Sequence, residues 1–251
     1  MKIGIIETGL IREELADRFA PYPVMFERLL NRAGRDLDYV SYCPLRGEMP
    51  ASVHDCDGWL ITGSRHGVYE QLEWMAPLQA FIREVAAAGL PMIGVCFGHQ
   101  IMAAAMGGKV VKSDLGWKVG LRSYQVDRTF DWMAAPPDSV AIHAWHQDQV
   151  VELPPTAEVF LSAEDCPFAG LNYGDSMISV QAHPEIEADY EAALLEMFAG
   201  KLLPDDIARA GLDSLRGDDG PDTQVLADWF ADFFLAHRAA QASAAARQAG
   251  S

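Results

Sequence analysis

The chain has 251 residues, half of them hydrophobic and 22% charged, the balance of an ordinary folded protein with room for one large domain or two small ones. Acidic residues outnumber basic ones 36 to 19, and the formal net charge of −17 argues against nucleic acid or an anionic membrane surface as the main partner, since both require basic patches. Four cysteines without a C-x-x-C pair, and an opening MKIGIIETG whose apolar run is too short for a secretory signal, predict a reduced, cytoplasmic protein.

In chain order, KIGIIET reads as a strand, VMFERLLNRAG as a helix closed by Gly34, DYVSYC as a strand, and GWLITGS as a buried strand ending in a glycine turn. MAPLQAFIREVAAAG follows as a helix closed by Gly89, and PMIGV as the next strand. Regular alternation of strand and helix predicts an α/β fold with a mostly parallel sheet covered on both faces. Ligands in such sheets gather at the carboxyl ends of the strands.

From Val85 to Gly108 there is no Asp, Glu, Lys or Arg, a span long enough to imitate a membrane helix. Gly89, Pro91, Gly94, Gly98, His99 and Gln100 interrupt it, which fits loop, buried strand, sharp turn and helix instead. No membrane span is predicted.

From about Lys109 the runs shorten: KVGLRSYQV, SVAIHAWH, AEVFLSA, FAGLNYG and MISVQAHP, divided by Pro, Gly and Asp, read as antiparallel additions to the same domain. Beyond His183, ADYEAALLEMFAGKLL and DTQVLADWFADFFLAHRAA read as two amphipathic helices joined by an acidic, glycine-rich loop around RGDDGPD. The aromatics of the second helix suit a core or a subunit face. The organisation expected is a single domain over 1–238, with 191–238 as a helical extension. A tail, 239–251, has no apolar anchor larger than alanine and is expected to be disordered.

Two stretches carry chemistry. GVCFG, residues 94–98, fits the turn in which a buried strand passes sharply into a helix and presents one side chain at the tip. Its glycines remove the Cβ clashes of so tight a turn. Cys96 then sits near a helix amino end, where the dipole and free N–H groups favour a thiolate. A buried cysteine alone would read equally well as a packed small hydrophobe.

In SVQAHPEIEADY, Pro184 disfavours a helical His183, so the segment is extended and His183 and Glu185 point the same way. The carboxylate would hold the imidazole's tautomer while the other ring nitrogen addresses Cys96. The chain order nucleophile, histidine, acid disfavours an ordinary α/β-hydrolase, whose acid precedes its histidine.

The other candidates carry less. His99, beside Cys96, has a structural or solvent role. His143 and His146 lack the further matched pair that a metal site needs. Cys43, Cys56 and Cys166 lack glycine elbows and are packing residues.

GVCFGHQIMAAAMGG and SVQAHPE together resemble the paired signatures of the class I glutamine amidotransferases, which use a Cys-His-Glu triad to release ammonia from glutamine. The likeness is strongest to the amidotransferase domain of GMP synthetase and to small stand-alone relatives. It continues through the histidine turn, the LP and the CPF between His143 and Glu185, and covers roughly residues 40–190.

The resemblance implies a flavodoxin-like three-layer sandwich, with Cys96 as nucleophile, His183 as acid and base, and Glu185 as its orienter. It implies an oxyanion hole made by the backbone N–H of Phe97 and one from Gly63 or Ser64. Gln100 and the backbone near His146 and Gln147 would hold the substrate, with no metal or organic cofactor. Many relatives carry a Gly-Pro-rich turn where this chain reads TGSRHGVYE, which leaves the second donor open and gives a loop with glycines at Gly63 and Gly67 that could move.

No P-loop or G-x-G-x-x-G fingerprint and no synthetase half are recognisable. The expected function is therefore that of a glutaminase supplying ammonia to a separate synthase. The alternative is a stand-alone γ-glutamyl hydrolase or peptidase, and a non-catalytic regulatory protein is the third reading. The substrate would be glutamine or another γ-glutamyl compound, with self-association left open.

Overall fold

A computed structural model describes residues 1–217 and 220–249, with 239–249 in backbone alone. The first half runs β1 (Lys2–Ile6), α1 (Tyr22–Asn31), β2 (Asp38–Tyr42), β3 (Gly58–Ile61), α2 (Met75–Ala87), β4 (Met92–Val95) and α3 (Phe97–Ala105). Strands β3 and β4 are buried at every position, as parallel strands covered on both faces must be. The turns after α1 and α2 place Gly34 and Gly89 at φ of 65° and 62°, which explains the glycines that close them.

The second half runs β5 (Lys109–Lys112), β6 (Lys118–Val126), β7 (Ser139–His146), β8 (Asp148–Glu152), β9 (Ala157–Ala163), β10 (Cys166–Tyr173) and β11 (Met177–Val180). Helices α4 (Ala188–Phe198), α5 (Asp205–Ser214) and α6 (Thr223–Ala249) follow. A nine-stranded sheet has the order β2-β1-β3-β4-β11-β10-β9-β6-β7. Its members from β2 to β11 are parallel, and β10, β9, β6 and β7 extend it antiparallel. The return of β11 to the side of β4 brings the end of the chain's last strand next to the end of the fourth.

One core lies between the sheet and α1 and α6, with Phe26, Leu30, Trp229, Phe230 and Phe233 in it. The other lies between the sheet and α2 and α3, around Trp59, Leu78, Ile82, Ile101 and Met102. The architecture is a flavodoxin-like α/β sandwich. Among the described residues no helix is long and apolar enough to cross a membrane. The aromatics of α6 are core.

Three features differ from the sequence expectation. Strands β5 and β8 form a separate two-stranded ribbon. Each is only a pair of valines between polar residues, too short for alternation to register. The helix expected to run through GKLL stops at Phe198, because Gly200 takes φ 66°. The stretch after it folds as a further helix, α5, started by Pro204 and the acids Asp205 and Asp206, so three helices follow β11. Helix α6 runs to Ala249, and residues 250–251 of the expected tail lie outside the described residues.

Candidate active site

The site sits where β3, β4 and β11, adjacent and parallel, reach their carboxyl ends. Between β4 and α3 the chain turns on Cys96, whose φ of 53° is rare for a residue with a side chain. The turn is held by Cys96 N–H donating to Val180 O at 2.9 Å and Gly98 N–H donating to Thr62 O at 3.2 Å. A Cβ on Gly98 would collide with the Ile61 carbonyl, and one on Gly94 with Met102 Sδ and, at 2.6 Å, the Gly98 backbone. The two glycines of GVCFG are there because strand and helix touch through them. Cys96 is buried, with its Sγ 3.9 Å from the Trp145 carbonyl.

After β11 the chain leaves the sheet at His183, whose main chain bridges His143 of β7. His183 Nδ1 and Glu185 Oε1 are 2.7 Å apart, with both side chains buried. Burial alone would lower the histidine pKa. The charge of Glu185, followed by that of Cys96 and the hydrogen bonds these two groups offer, instead carries it well above the ordinary range. Gly63 completes the cluster, since a Cβ there would lie 2.9 Å from His183 Cε1 and 3.7 Å from Cys96 Cβ.

The TGS turn is tied down. Gly63 O accepts from the hydroxyls of Thr8 at 3.2 Å and Thr62 at 3.1 Å, and Thr62 O accepts from Thr8 Oγ1 at 2.8 Å. Further along, Glu70 accepts from Gly67 N–H at 2.7 Å and lies 2.9 Å from His66 Nδ1, while His66 N–H donates to Ser64 Oγ. The loop expected to be movable is a hydrogen-bonded turn, and the threonine latch was missed. Its signal is the Thr-Gly that follows both β1 and β3, neighbours in the sheet.

A cavity of about 300 Å³ opens over Cys96 and His183. Gly63, Ser64, Gln100, His146 and Gln147 line it, whereas Phe97 and Glu185 lie behind its surface. Gln100 spends its amide hydrogens on Asp148 O at 3.0 Å and Gln181 Oε1 at 3.2 Å, leaving its oxygen as an acceptor. His146 is held neutral by burial, with its pKa lowered to about 3, and its Nδ1 lies 3.2 Å from Asp148 O. Gln147 bonds the Ser113 backbone in both directions.

One wall of the cavity is aromatic: Trp145 packs on Trp117 at 5.7 Å and on Phe198 at 5.9 Å between ring centroids, with Leu194 and Leu202 beside them. This wall also escaped the sequence reading.

The remaining candidates are structural. His99 is fully buried on Ser179 Oγ at 2.8 Å, and burial lowers its pKa to about 3, so of its two expected roles the structural one holds. All four cysteines are free, and burial raises the thiols of Cys43, Cys56 and Cys166, the last to about 12. Among the described residues no three His, Cys, Asp or Glu side chains are grouped as a metal centre requires.

Comparison with known proteins bears on this arrangement. The chain is 33% identical over 135 residues to gamma-glutamyl peptidase 3 of Arabidopsis thaliana, which covers 51% of this chain and 54% of that protein, about half its length. It is 31% identical over 167 residues to a glutamine-hydrolyzing GMP synthase of Ralstonia pickettii, covering 61% of this chain and 30% of that protein. A solved glutamine amidotransferase from Thermotoga maritima shares the fold, with TM-score 0.71, 20% identity and coverage of 93% of this chain and 96% of that one. The profile of the class-I glutamine amidotransferases matches residues 24–201, and the chain belongs to that family.

Proposed function

We propose that the protein hydrolyses the side-chain amide bond of γ-glutamyl compounds through Cys96, His183 and Glu185. The observation that carries this reading is the burial of a paired His183 and Glu185 beside a cysteine on a strained turn, under an open cavity. The Cys96 thiolate attacks the γ-carbonyl, and the oxyanion is held by backbone N–H groups. His183 protonates the departing amine, leaving a γ-glutamyl thioester. Water deprotonated by the same imidazole then releases glutamate and the free thiolate.

The peptide orientations favour one second donor. Thr62 O faces Gly98 at the start of α3, so the Gly63 N–H across the same trans peptide faces away from the elbow. Gly63 O is turned back onto the threonine hydroxyls, so the N–H of Ser64 is directed the other way. Ser64 and Phe97 are therefore the donors in this reading.

The leaving group favoured is an amine larger than ammonia. The cavity reaches the size at which small-molecule sites begin and continues along Trp145, Trp117 and Phe198. The tied TGS turn also supports a site that works without a partner. Glutamine hydrolysis with ammonia passed to a separate synthase is the second reading, favoured by the likeness to a glutamine-hydrolyzing enzyme.

The test is release of glutamate from glutamine, a γ-glutamyl arylamide and a γ-glutamyl peptide by the pure protein. High turnover of the last two with poor turnover of glutamine supports the hydrolase. Glutaminase activity that appears only with a partner supports the second reading, and no glutamate from any of them, with no labelling of Cys96 by a diazo-ketone glutamine analogue, overturns both.

A further inference from the structure

Two groups of side chains line the cavity over Cys96. In the first, Gln100 Nε2 donates to Asp148 O at 3.0 Å and the Tyr69 hydroxyl donates to Asp148 Oδ1 at 3.2 Å. In the second, Arg12 of the loop after β1 lies with its guanidinium 5.0 Å over the Phe198 ring, and Phe198 packs in turn on Trp145. With the glutamyl part of a substrate on Gln100 and the backbone near it, the second group remains for the leaving amine.

Arg12 is held in place but not neutralised. Stacking on Phe198 uses the face of the guanidinium and leaves the N–H donors at its edge. Among the described residues those donors meet no carboxylate, whereas Arg32, Arg35, Arg122 and Arg128 each reach one. Arg65 and Lys112, which also line the cavity, are exposed, and their charges act on Glu70 and Asp148 of the same lining.

Arg12 is half-buried, and its charge acts on Tyr190. The hydroxyls of Tyr190 and Tyr22, both in the lining, are 3.1 Å apart and have no other partner among the described residues. One hydroxyl proton makes that bond, so the other is left to donate. The charge of Glu185 also reaches these tyrosines, but its Oε1 is engaged by His183 at 2.7 Å. A guanidinium edge and a spare hydroxyl proton suit a group that only accepts, as a carboxylate does. Beside them Leu10 and Leu202, 45% and 46% exposed, add apolar surface to that of Phe198.

We propose that Arg12 binds a carboxylate on the leaving amine, so that the favoured substrates are γ-glutamyl derivatives of apolar amino acids. The amino acid departs with its carboxylate on Arg12 and its side chain along Phe198 and Trp145. An amine without a carboxylate leaves the guanidinium unpaired, and a polyamine brings further positive charge towards it. Arg12 touches no reacting atom and acts on binding alone.

This assignment rests on the hydrolase reading, and its test separates the two. Wild type, Arg12→Met and Arg12→Lys are compared on γ-glutamyl-phenylalanine and on γ-glutamyl-phenethylamide, the same leaving group without its carboxylate. Methionine keeps an apolar stem against Phe198 and removes the charge. Binding of both compounds to Cys96→Ala, with and without Arg12→Met, is measured by calorimetry and needs no turnover.

Wild type should favour the phenylalanine compound at least ~10-fold in kcat/KM, the scale of a charged hydrogen bond. Arg12→Met should bring that ratio close to 1, mainly through KM, and Arg12→Lys should restore part of it. If the methionine variant does not fold, the lysine variant decides, with a ratio between 1 and that of wild type expected. Hydrolysis of both compounds with a ratio that neither substitution changes overturns the role of Arg12 and leaves the proposed function standing. A binding preference that depends on Arg12, in a protein that hydrolyses neither compound, keeps the carboxylate site and overturns the proposed function. Neither binding nor hydrolysis of the two compounds overturns both.

Discussion

The two histidine–carboxylate pairs of this protein share a β-bridge, yet their surroundings push the two histidines in opposite directions. His183 and Glu185 are 2.7 Å apart and His143 and Glu191 3.4 Å, and all four side chains are buried. His183 is driven well above the usual histidine range and His143 down to about 4. The difference lies in what else each ring meets. His183 meets Cys96 as well as Glu185, and the two together outweigh burial in raising it. His143 meets a carboxyl that burial has itself raised to about 7, and burial dominates its own shift. A buried histidine is raised where neighbouring charge outweighs desolvation and lowered where desolvation dominates.

The sharpest way to break the comparison is to remove His183 or the Cys96 beside it. His183→Ala and Cys96→Ala should each lower kcat/KM by at least ~10³-fold without lowering the melting temperature greatly, because the turn is set by backbone and glycines. Glu185→Gln should cost less, since an amide still accepts one hydrogen bond from the ring. If the glutamate variant proves the more damaging, Glu185 does more than orient the imidazole.

The second pair should show itself in the pH dependence of stability. Glu191 has its folded pKa raised from 4.5 to about 7, so it contributes stability that is fully present below 4.5 and lost as pH rises through 7, about 3 kcal/mol in all. Thermal melts of wild type and Glu191→Gln from pH 4.5 to 8 isolate that loss as their difference. His99, His143 and His146 act with the opposite sign. Their folded pKa values are depressed, so their contribution is present above the unfolded value of 6.5 and is lost as pH falls towards 4 and 3. A difference between the two proteins that is independent of pH would show that Glu191 is ionised in the fold.

A smaller, local perturbation is Gly63→Ala. Its Cβ would press on His183 Cε1 at 2.9 Å, so the ring must shift by tenths of an ångström. The expected cost is roughly 10-fold in kcat, with KM and melting temperature little changed. An unchanged kcat would mean that the ring has slack where the structure shows contact.

How much of this could be read from residues follows the same division. GVCFG and HPE are local: strain, extension and side-chain direction are fixed within a few residues, so Cys96, His183 and Glu185 are legible before folding. The parallel first half was legible because buried strands and glycine-closed helices leave strong periodic marks. Glu191 was not, because its partner is far along the chain on β7. The trace it leaves is an acid on the stripe of α4 that also carries Leu194 and Leu195, a position where a charge needs an explanation. The proposed preference for Ser64 over Gly63 was closed to the sequence, since it depends on which way two peptides turn, and the hydroxyls of Thr62 itself and of Thr8, just beyond β1, meet the Gly63 carbonyl.

The aromatic wall supplies the last and smallest test. If the leaving group lies along Trp117 and Trp145, truncating the outer ring removes apolar contact from that group alone, because ammonia from glutamine does not extend so far. Trp117 is partly exposed and stacks on Trp145 at 5.7 Å, so its loss opens the wall without emptying the core. Trp117→Ala should lower the ratio of kcat/KM for a γ-glutamyl arylamide to that for glutamine by about 5-fold, close to 1 kcal/mol, the scale of one aromatic contact. The ratio cancels any common effect on the thioester chemistry. If it stays constant while both substrates slow together, the wall supports the elbow through Trp145, and the preference for a large amine has to be sought elsewhere in the cavity lining, among Arg65, His66 and Tyr69.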